Sequence, residues 1–277
     1  MRNNVSDMTT GSPVKLLIKF SLPLMLGNIF QQLYTVVDTM VVGKGVGMDA
    51  LAALGSSDWF NWLFLGVVQG FAQGFSIPMA QAFGAKLKEE CADLLVRGVV
   101  MAIALAAILL SLQRPIGEFA IWLMNGDELV SRYFFARIWA VPAAISLFAL
   151  NGWFIGMQNS STPMVIALVQ NVINIVCSIW FAFGLEMGLE GVAWGTVVAQ
   201  YSGVAMAVVA IAWRYRDVVR LACLRRAMKL QAMGRFFAVN RDIFIRSFCL
   251  CVAYTFFTAA AARMGDPTIL AVNSLMM

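Results

Sequence analysis

The sequence predicts an all-α, polytopic membrane protein: a six-helix bundle followed by the first helices of a second, repeat-related bundle. Three observations carry that prediction. The 277 residues are 61% hydrophobic and 13% charged, with mean hydropathy +0.79, whereas a soluble domain carries about 25% charged residues. Apolar runs long enough to cross a bilayer recur along the whole chain. A shift of 218 positions carries Phe30 onto Phe248, Gly47 onto Gly265, Leu51 onto Ile269, Ala53 onto Ala271 and Ser56 onto Ser274. Both copies begin on the same side of the membrane, so the relation is a parallel repeat.

The spans follow in order at about 14–42, 53–82, 91–112, 130–153, 163–184, 191–213 and 240–263, and an eighth begins near 268. Residues 1–12 are polar, and Pro13 suits a first helical turn. The first run is too long for a signal peptide and holds Gln31, Gln32 and Asp38, so it is read as a membrane helix. Pro23 inside it predicts a static kink rather than a hinge. Span two carries Gly66, Gly70 and Gly74, a small-residue face for close helix approach. Span three is apolar all round from Gly98 to Leu112 and is expected to face lipid. Gly43 to Gly47, Gly84, Gln113 to Pro115, Asn125–Gly126, Asn159 to Pro163, Gly184, Gly188 and Gly265 to Pro267 punctuate the span ends.

Residues 214–239 change character. RYRDVVRLACLRRAMKLQAMGRFF mixes cations with apolar residues and reads as a basic amphipathic helix on the membrane surface. It divides the chain into an N-terminal six-helix lobe (1–213), a cytoplasmic linker helix (214–239) and a partial C-terminal lobe (240–277). With the N-terminus inside, fifteen of the twenty Lys and Arg lie at cytoplasmic span ends and five at outer ends, a positive-inside bias. The repeat length implies a whole protein of about 440 residues, so the chain is expected to be truncated within its eighth span.

Several function classes are excluded. There is no histidine, hence no Ser–His triad, no HExxH motif and no Cys–His metal site; no metal, cofactor or enzymatic chemistry is expected. The five cysteines read as small apolar residues. The net charge of +5 comes without an aromatic–basic motif, so no nucleic-acid partner is expected.

The chemistry concentrates on polar faces. In SLPLMLGNIFQQLYTVVDTMVVGKGVG, residues 21–47, Asn28, Gln31, Gln32, Thr35, Asp38 and Thr39 recur at helical spacing beside Tyr34. Asp38 is the one acid well inside a hydrophobic span, and an acid at membrane depth costs roughly 2.5–3.5 kcal/mol on insertion scales. Gln69, Gln73 and Ser76 form a stripe on span two, and Gln170, Asn171, Asn174 and Ser178 one on span five. Three such faces meeting would make a cavity. The plainer readings stand beside it: Asn and Gln stripes also serve helix–helix hydrogen bonding, and Asp38 could be a helix-end acid paired with Lys44 or Arg137.

The motifs GNIFQQLYTVVDTMVVG, ALAALGSS, AQAFGAK, GMQNSSTPM, NVINIV and GVAWGTVVAQ, in that order over nearly all the chain, resemble the multidrug and toxic compound extrusion (MATE) family, in its DinF-like branch. The resemblance implies twelve helices in two lobes about a cleft, in a bacterial cytoplasmic (inner) membrane, working as a monomer when full length. It implies export of amphipathic organic cations or drugs in exchange for H+ or Na+, with Asp38 as the coupling carboxylate and Asn174 and Thr196 as its polar partners. Ser178 stands where family members often have a second aspartate, which weakens a two-carboxylate Na+ site and favours H+. The alternatives are a flippase for lipid-linked precursors, disfavoured by neutral deep polar residues, and an inactive truncated fragment.

Overall fold

The computed structural model describes residues 12–45, 47, 50–51, 54, 75–124, 128–229, 233–234, 241, 245–246, 248–250, 252–253 and 256. Within these, the elements are α1 (Pro13–Gly45), α2 (Ser76–Gly84), α3 (Lys88–Ser111), α4 (Gln113–Met124), α5 (Glu128–Arg137), α6 (Val141–Gly156), α7 (Ser161–Ile179), α8 (Gly188–Arg214), α9 (Arg216–Val219) and α10 (Leu224–Ala227). One 3₁₀ turn, Ile138–Ala140, joins α5 to α6 into a single rod. Among the described residues five helical stretches are long and apolar enough to span a membrane: Pro13–Gly43, Lys88–Ser111, Glu128–Gly156, Ser161–Gly184 and Gly188–Arg214. They coincide with spans one, three, four, five and six. Most of span two, with Gly66, Gly70 and Gly74, most of span seven and the whole eighth lie outside the described residues.

Close approaches fix the order of packing. Gly27 faces Met164 and Gly45 faces Phe183, so α1 runs parallel to α7. Gly203 faces Gln170, Gly195 faces Ser178, and Gly191 faces Phe181 and Ala182, so α8 runs antiparallel to α7. α7 is therefore the central member of a three-helix layer. Without a hydrophobic driving force between helices in lipid, contact depends on backbones coming close. A methyl on Gly195 would lie 2.6 Å from the Ser178 backbone N, and one on Gly191 2.6 Å from the Phe181 carbonyl carbon. Both glycines belong to the buried series Gly191, Gly195, Ala199, Gly203 and Ala207, one small residue per turn of α8.

Two apolar clusters close the ends of the bundle. Leu94, Leu150, Trp153, Phe154, Ile211 and Tyr215 gather where α3 and α7 begin and α6 and α8 finish. Val42, Val130, Tyr133, Leu189 and Val192 gather at the other end. A third, with Ala102, Ala106, Phe134, Ile145 and Ala149, runs between α3 and the α5–α6 rod.

The structure departs from four expectations. Span three has one packed face, Gly98, Ala102 and Ala106, and one exposed face, Ile103, Ala104, Ala107 and Ile108, because its small residues let the rod approach. Residues 113–124, expected as a break, form α4; Pro115 falls in its first turn, where a missing N–H costs nothing. Span five does not stay α-helical: Trp180–Gly184 is a π turn. The basic segment is not one amphipathic helix over its described part. It makes two four-residue turns, α9 and α10, and folds back onto α3. Pro23 leaves α1 unbroken.

The folded-back segment is tied down by polar contacts. Arg226 pairs with Asp93 and, at 2.6 Å, with Glu89. Asp93 also accepts the Cys223 N–H at 3.2 Å, and Arg97 Nε donates to the Ala227 carbonyl at 3.0 Å. Tyr215 packs edge-on against Trp153 and its hydroxyl accepts a 2.9 Å hydrogen bond from the Asn159 amide; burial pushes the Tyr215 phenol above its usual pKa. Asn159 in turn accepts the Thr162 N–H at 3.2 Å at the start of α7.

Candidate functional site

The polar stripe of α1 is split by packing. Asp38 is buried, 6% exposed, nearly two turns before the end of α1. Asn28, Gln31, Gln32, Thr35 and Thr39 are exposed. At 100° per residue these five lie in one arc beside the face that carries Gly27 and Gly45, and Asp38 falls between that face and the arc. Thr35 and Thr39 turn their hydroxyls back to the Gln31 and Thr35 carbonyls, the second at 2.8 Å. Tyr34 is part of α1, but its side chain lies outside what the structure describes, as do Gln69 and Gln73.

The α7 stripe turns towards α8. Asn174, Ser178 and Thr196 are 2%, 0% and 2% exposed. The Asn174 amide donates to Thr196 Oγ1 at 3.1 Å, and the Thr196 hydroxyl donates to the Val192 carbonyl at 3.2 Å. Gln170 donates to the Ala199 carbonyl and to Gln200 Oε1, each at 3.3 Å. Asn171 is half-buried. Three atoms of this seam are buried with no hydrogen bond among the described residues: Asn174 Oδ1, Ser178 Oγ and Asn171 Nδ2. A buried polar group with no partner costs about 1–3 kcal/mol, so three on neighbouring turns are a marked departure from a well-satisfied interior.

The register relates the two stripes. With Gly27 beside Met164 and Gly45 beside Phe183, Asp38 falls level with Ile175 and Val176, within one turn of both Asn174 and Ser178. Asp38, Asn174, Ser178 and Thr196 therefore lie within about one turn of one another in the α1–α7–α8 layer, and Asn171 and Gln170 lie about two turns from Ser178 along the same seam. The chemistry of the set is that of one carboxylate with neutral amide and hydroxyl groups: it can exchange a proton or offer oxygen ligands to a cation. Among the described residues no three metal-ligating acids, cysteines or histidines come together.

Sequence reasoning missed two features here. The π turn Trp180–Gly184 begins two residues after Ser178; such turns are frequent at functional sites, and a periodicity reading cannot separate a period of 3.6 from a single wider turn. The other is Asn151 on α6, whose Oδ1 is buried without a hydrogen bond among the described residues; a lone asparagine in an apolar run was its only signal.

Spanning helices layered through glycine contacts define a polytopic membrane protein, with buried polar groups along one seam that have no hydrogen bond among the described residues. The MatE family model matches residues 23–180, and the chain belongs to that family of membrane transporters, which are not enzymes. It is 30% identical over 274 residues to DNA damage-inducible protein F of Escherichia coli (strain K12), covering 95% of this chain and 58% of the relative, in keeping with the DinF-like branch. It is 27% identical over 223 residues to probable multidrug resistance protein YoeA of Bacillus subtilis (strain 168), covering 76% of this chain and 47% of the relative. The fold is similar to that of a solved outward-facing multidrug resistance MATE family transporter of the MOP superfamily, with a TM-score of 0.82 at 20% identity over 99% of this chain and 62% of that one. The chain thus spans about half of the curated relatives' length.

Proposed function

We propose that the whole protein is a secondary active antiporter of a bacterial inner membrane, its N-terminus cytoplasmic, exporting amphipathic organic cations or drugs in exchange for H+. The observation that carries this reading is the seam of buried oxygens with no hydrogen bond among the described residues, Asn174 Oδ1 and Ser178 Oγ, at the level of a buried Asp38. Family membership and relatives named as multidrug resistance proteins support it.

The mechanism follows from charge. Asp38 is the one carboxylate of this set, so a proton and a cationic substrate compete for it. Protonation releases the cation on one side; loss of the proton resets the site on the other. Asn174, held by Thr196, and Ser178 present neutral oxygens that stabilise either occupant. With one carboxylate and no second acid at position 178, the set suits H+ better than Na+, which prefers several charged or carbonyl oxygens. The exposed stripe of Asn28, Gln31 and Thr35, with Tyr34, Gln69 and Gln73, would line the substrate path. A monomer with two lobes would alternate access around it.

The test uses a full-length version in energised vesicles. Asp38→Asn is nearly isosteric and removes a buried charge, so the protein level holds while ion-driven dye efflux is abolished. Asn174→Ala and Thr196→Ala reduce efflux without abolishing it. Efflux at the parental rate in Asp38→Asn would sink the coupling role of the acid.

A further inference from the structure

One end of the bundle carries more positive charge than its internal pairing uses. Arg226 is committed to Asp93, Glu89 and the Leu221 carbonyl, and Arg97 to the Ala227 carbonyl. Those contacts hold the backbone from Leu221 to Ala227, and the Tyr215 hydroxyl on Asn159 holds the start of the segment, so the stretch that carries the other cations is tethered at both ends. Arg214, Arg216, Arg220 and Arg225 are all exposed, and none of them makes an ion pair among the described residues. Beside them stand apolar side chains that a water-facing loop would have no reason to display: Trp213 is 85% exposed and Leu224 60%. Trp213 is in the last turn of a membrane span, the depth at which tryptophan anchors in the interface. Guanidinium groups beside exposed tryptophan and leucine, at the rim of a bilayer, match one surface chemistry: a phosphate headgroup with the upper part of its acyl chains.

We propose that the segment 213–225 is a preformed docking surface for anionic phospholipid, presented by the Arg226–Asp93–Glu89 clasp. This goes beyond the transport reading and does not depend on it. The clasp is what separates the proposal from a generic basic loop. Asp93 is buried, its side chain 2% exposed, and takes bonds from the Arg226 guanidinium and from a backbone N–H of the same segment. A carboxylate holding both a side chain and the main chain fixes the backbone at Cys223 and Arg226, so the backbone positions from which Arg220 and Arg225 project keep one spacing.

The experiment is competition between phosphatidylglycerol and phosphatidylcholine for the purified full chain in detergent, read by native mass spectrometry as the ratio of lipids retained. The parent protein retains phosphatidylglycerol preferentially, and excess inorganic phosphate does not displace it. Arg220→Gln with Arg225→Gln, both at exposed positions, lowers the ratio by about twenty-five-fold, since one cation near an anionic surface contributes about fivefold. Arg226→Lys keeps every charge but loses the fork that spans Asp93, Glu89 and Leu221; it lowers the ratio severalfold, and Asp93→Asn does the same where it folds. Equal retention of both lipids by the parent protein overturns the proposal. So does displacement by inorganic phosphate, which would mean a site for a free anion, and so does a full preference in Arg226→Lys, which would mean that net charge alone suffices.

Discussion

Asn174 offers a donor and an acceptor, and among the described residues only the donor is used, on Thr196. Ser178, one turn on, has its hydroxyl buried against Gly195 without a hydrogen bond among the described residues. For stability alone such a hydroxyl is a liability, because it left water and found nothing in exchange. Ser178→Ala is therefore expected to keep or raise the Tm in detergent, with a gain of up to about 1 kcal/mol. If the oxygen serves the transported ion, the same variant exports more slowly. A thermal melt beside an efflux rate checks both; a clear fall in Tm would mean that the hydroxyl is a structural bond and not a ligand in waiting. Asp38 was readable as special from sequence because it is an acid at membrane depth. Asn174 was legible as one of a polar stripe, whereas Thr196 and the pairing of both with Asp38 entered only through the resemblance, since nothing in local spacing says which partner each amide or hydroxyl will meet.

At the scale of the element, the α7–α8 seam is a row of small residues against a row of polar ones. The glycines of span two stand out in the sequence as an unbroken series spaced by four and those of α8 do not, although Gly191, Gly195 and Gly203 meet Phe181 and Ala182, Ser178 and Gln170 in turn. The cost of filling each site differs by what lies opposite. At Gly195 an added methyl meets the Ser178 backbone at 2.6 and 2.8 Å, whereas at Gly203 it meets only the Gln170 side chain, from 2.5 Å. A backbone cannot swing aside and a glutamine can. Gly195→Ala is expected to destabilise the protein by about 3 kcal/mol, at the upper end of overpacking, and Gly203→Ala by much less, with Gln170→Ala relieving it further. Gly84→Ala, with open space around it, serves as the control. Comparable losses at Gly195 and Gly84 in a denaturation series would contradict this account of the seam. The Gln170–Asn174–Ser178 stripe, legible as polar at helical spacing, could have faced a cavity or a helix. Gln170 went to the helix, and only the register of α8 decided it.

At the scale of the whole molecule, the corners near Lys86, Gln158 and Arg226 lie at one end of the bundle, joined by the contacts of Met79 with Gly156, Asn159 with Tyr215 and Asp93 with Arg226. The loop at Glu186 is at the other end, beyond the Gly45–Phe183 contact. Reporter fusions after Lys88, Gln158 and Arg226 are therefore expected to give one and the same signal, cytoplasmic by the bias of basic residues, and a fusion after Glu186 the opposite one. A cytoplasmic signal at Glu186 would break the order of spans.

The sequence by itself determined the class, the described spans and the acid well inside the first span, because each follows from a local quantity: the length of an apolar run, or a charge set inside it. The tertiary structure decided what no local quantity contains. It turned one face of span three inward, wound residues 180–184 into a π turn, and folded the basic segment back on Asp93 instead of leaving it a single surface helix. It also assigned the amide donors of Gln170 and Asn174 to α8. The physical reason is common to all four. Whether a side chain is buried, and whether its hydrogen bonds are met, depends on the element packed against it, and that partner lies twenty to more than a hundred residues away in the chain.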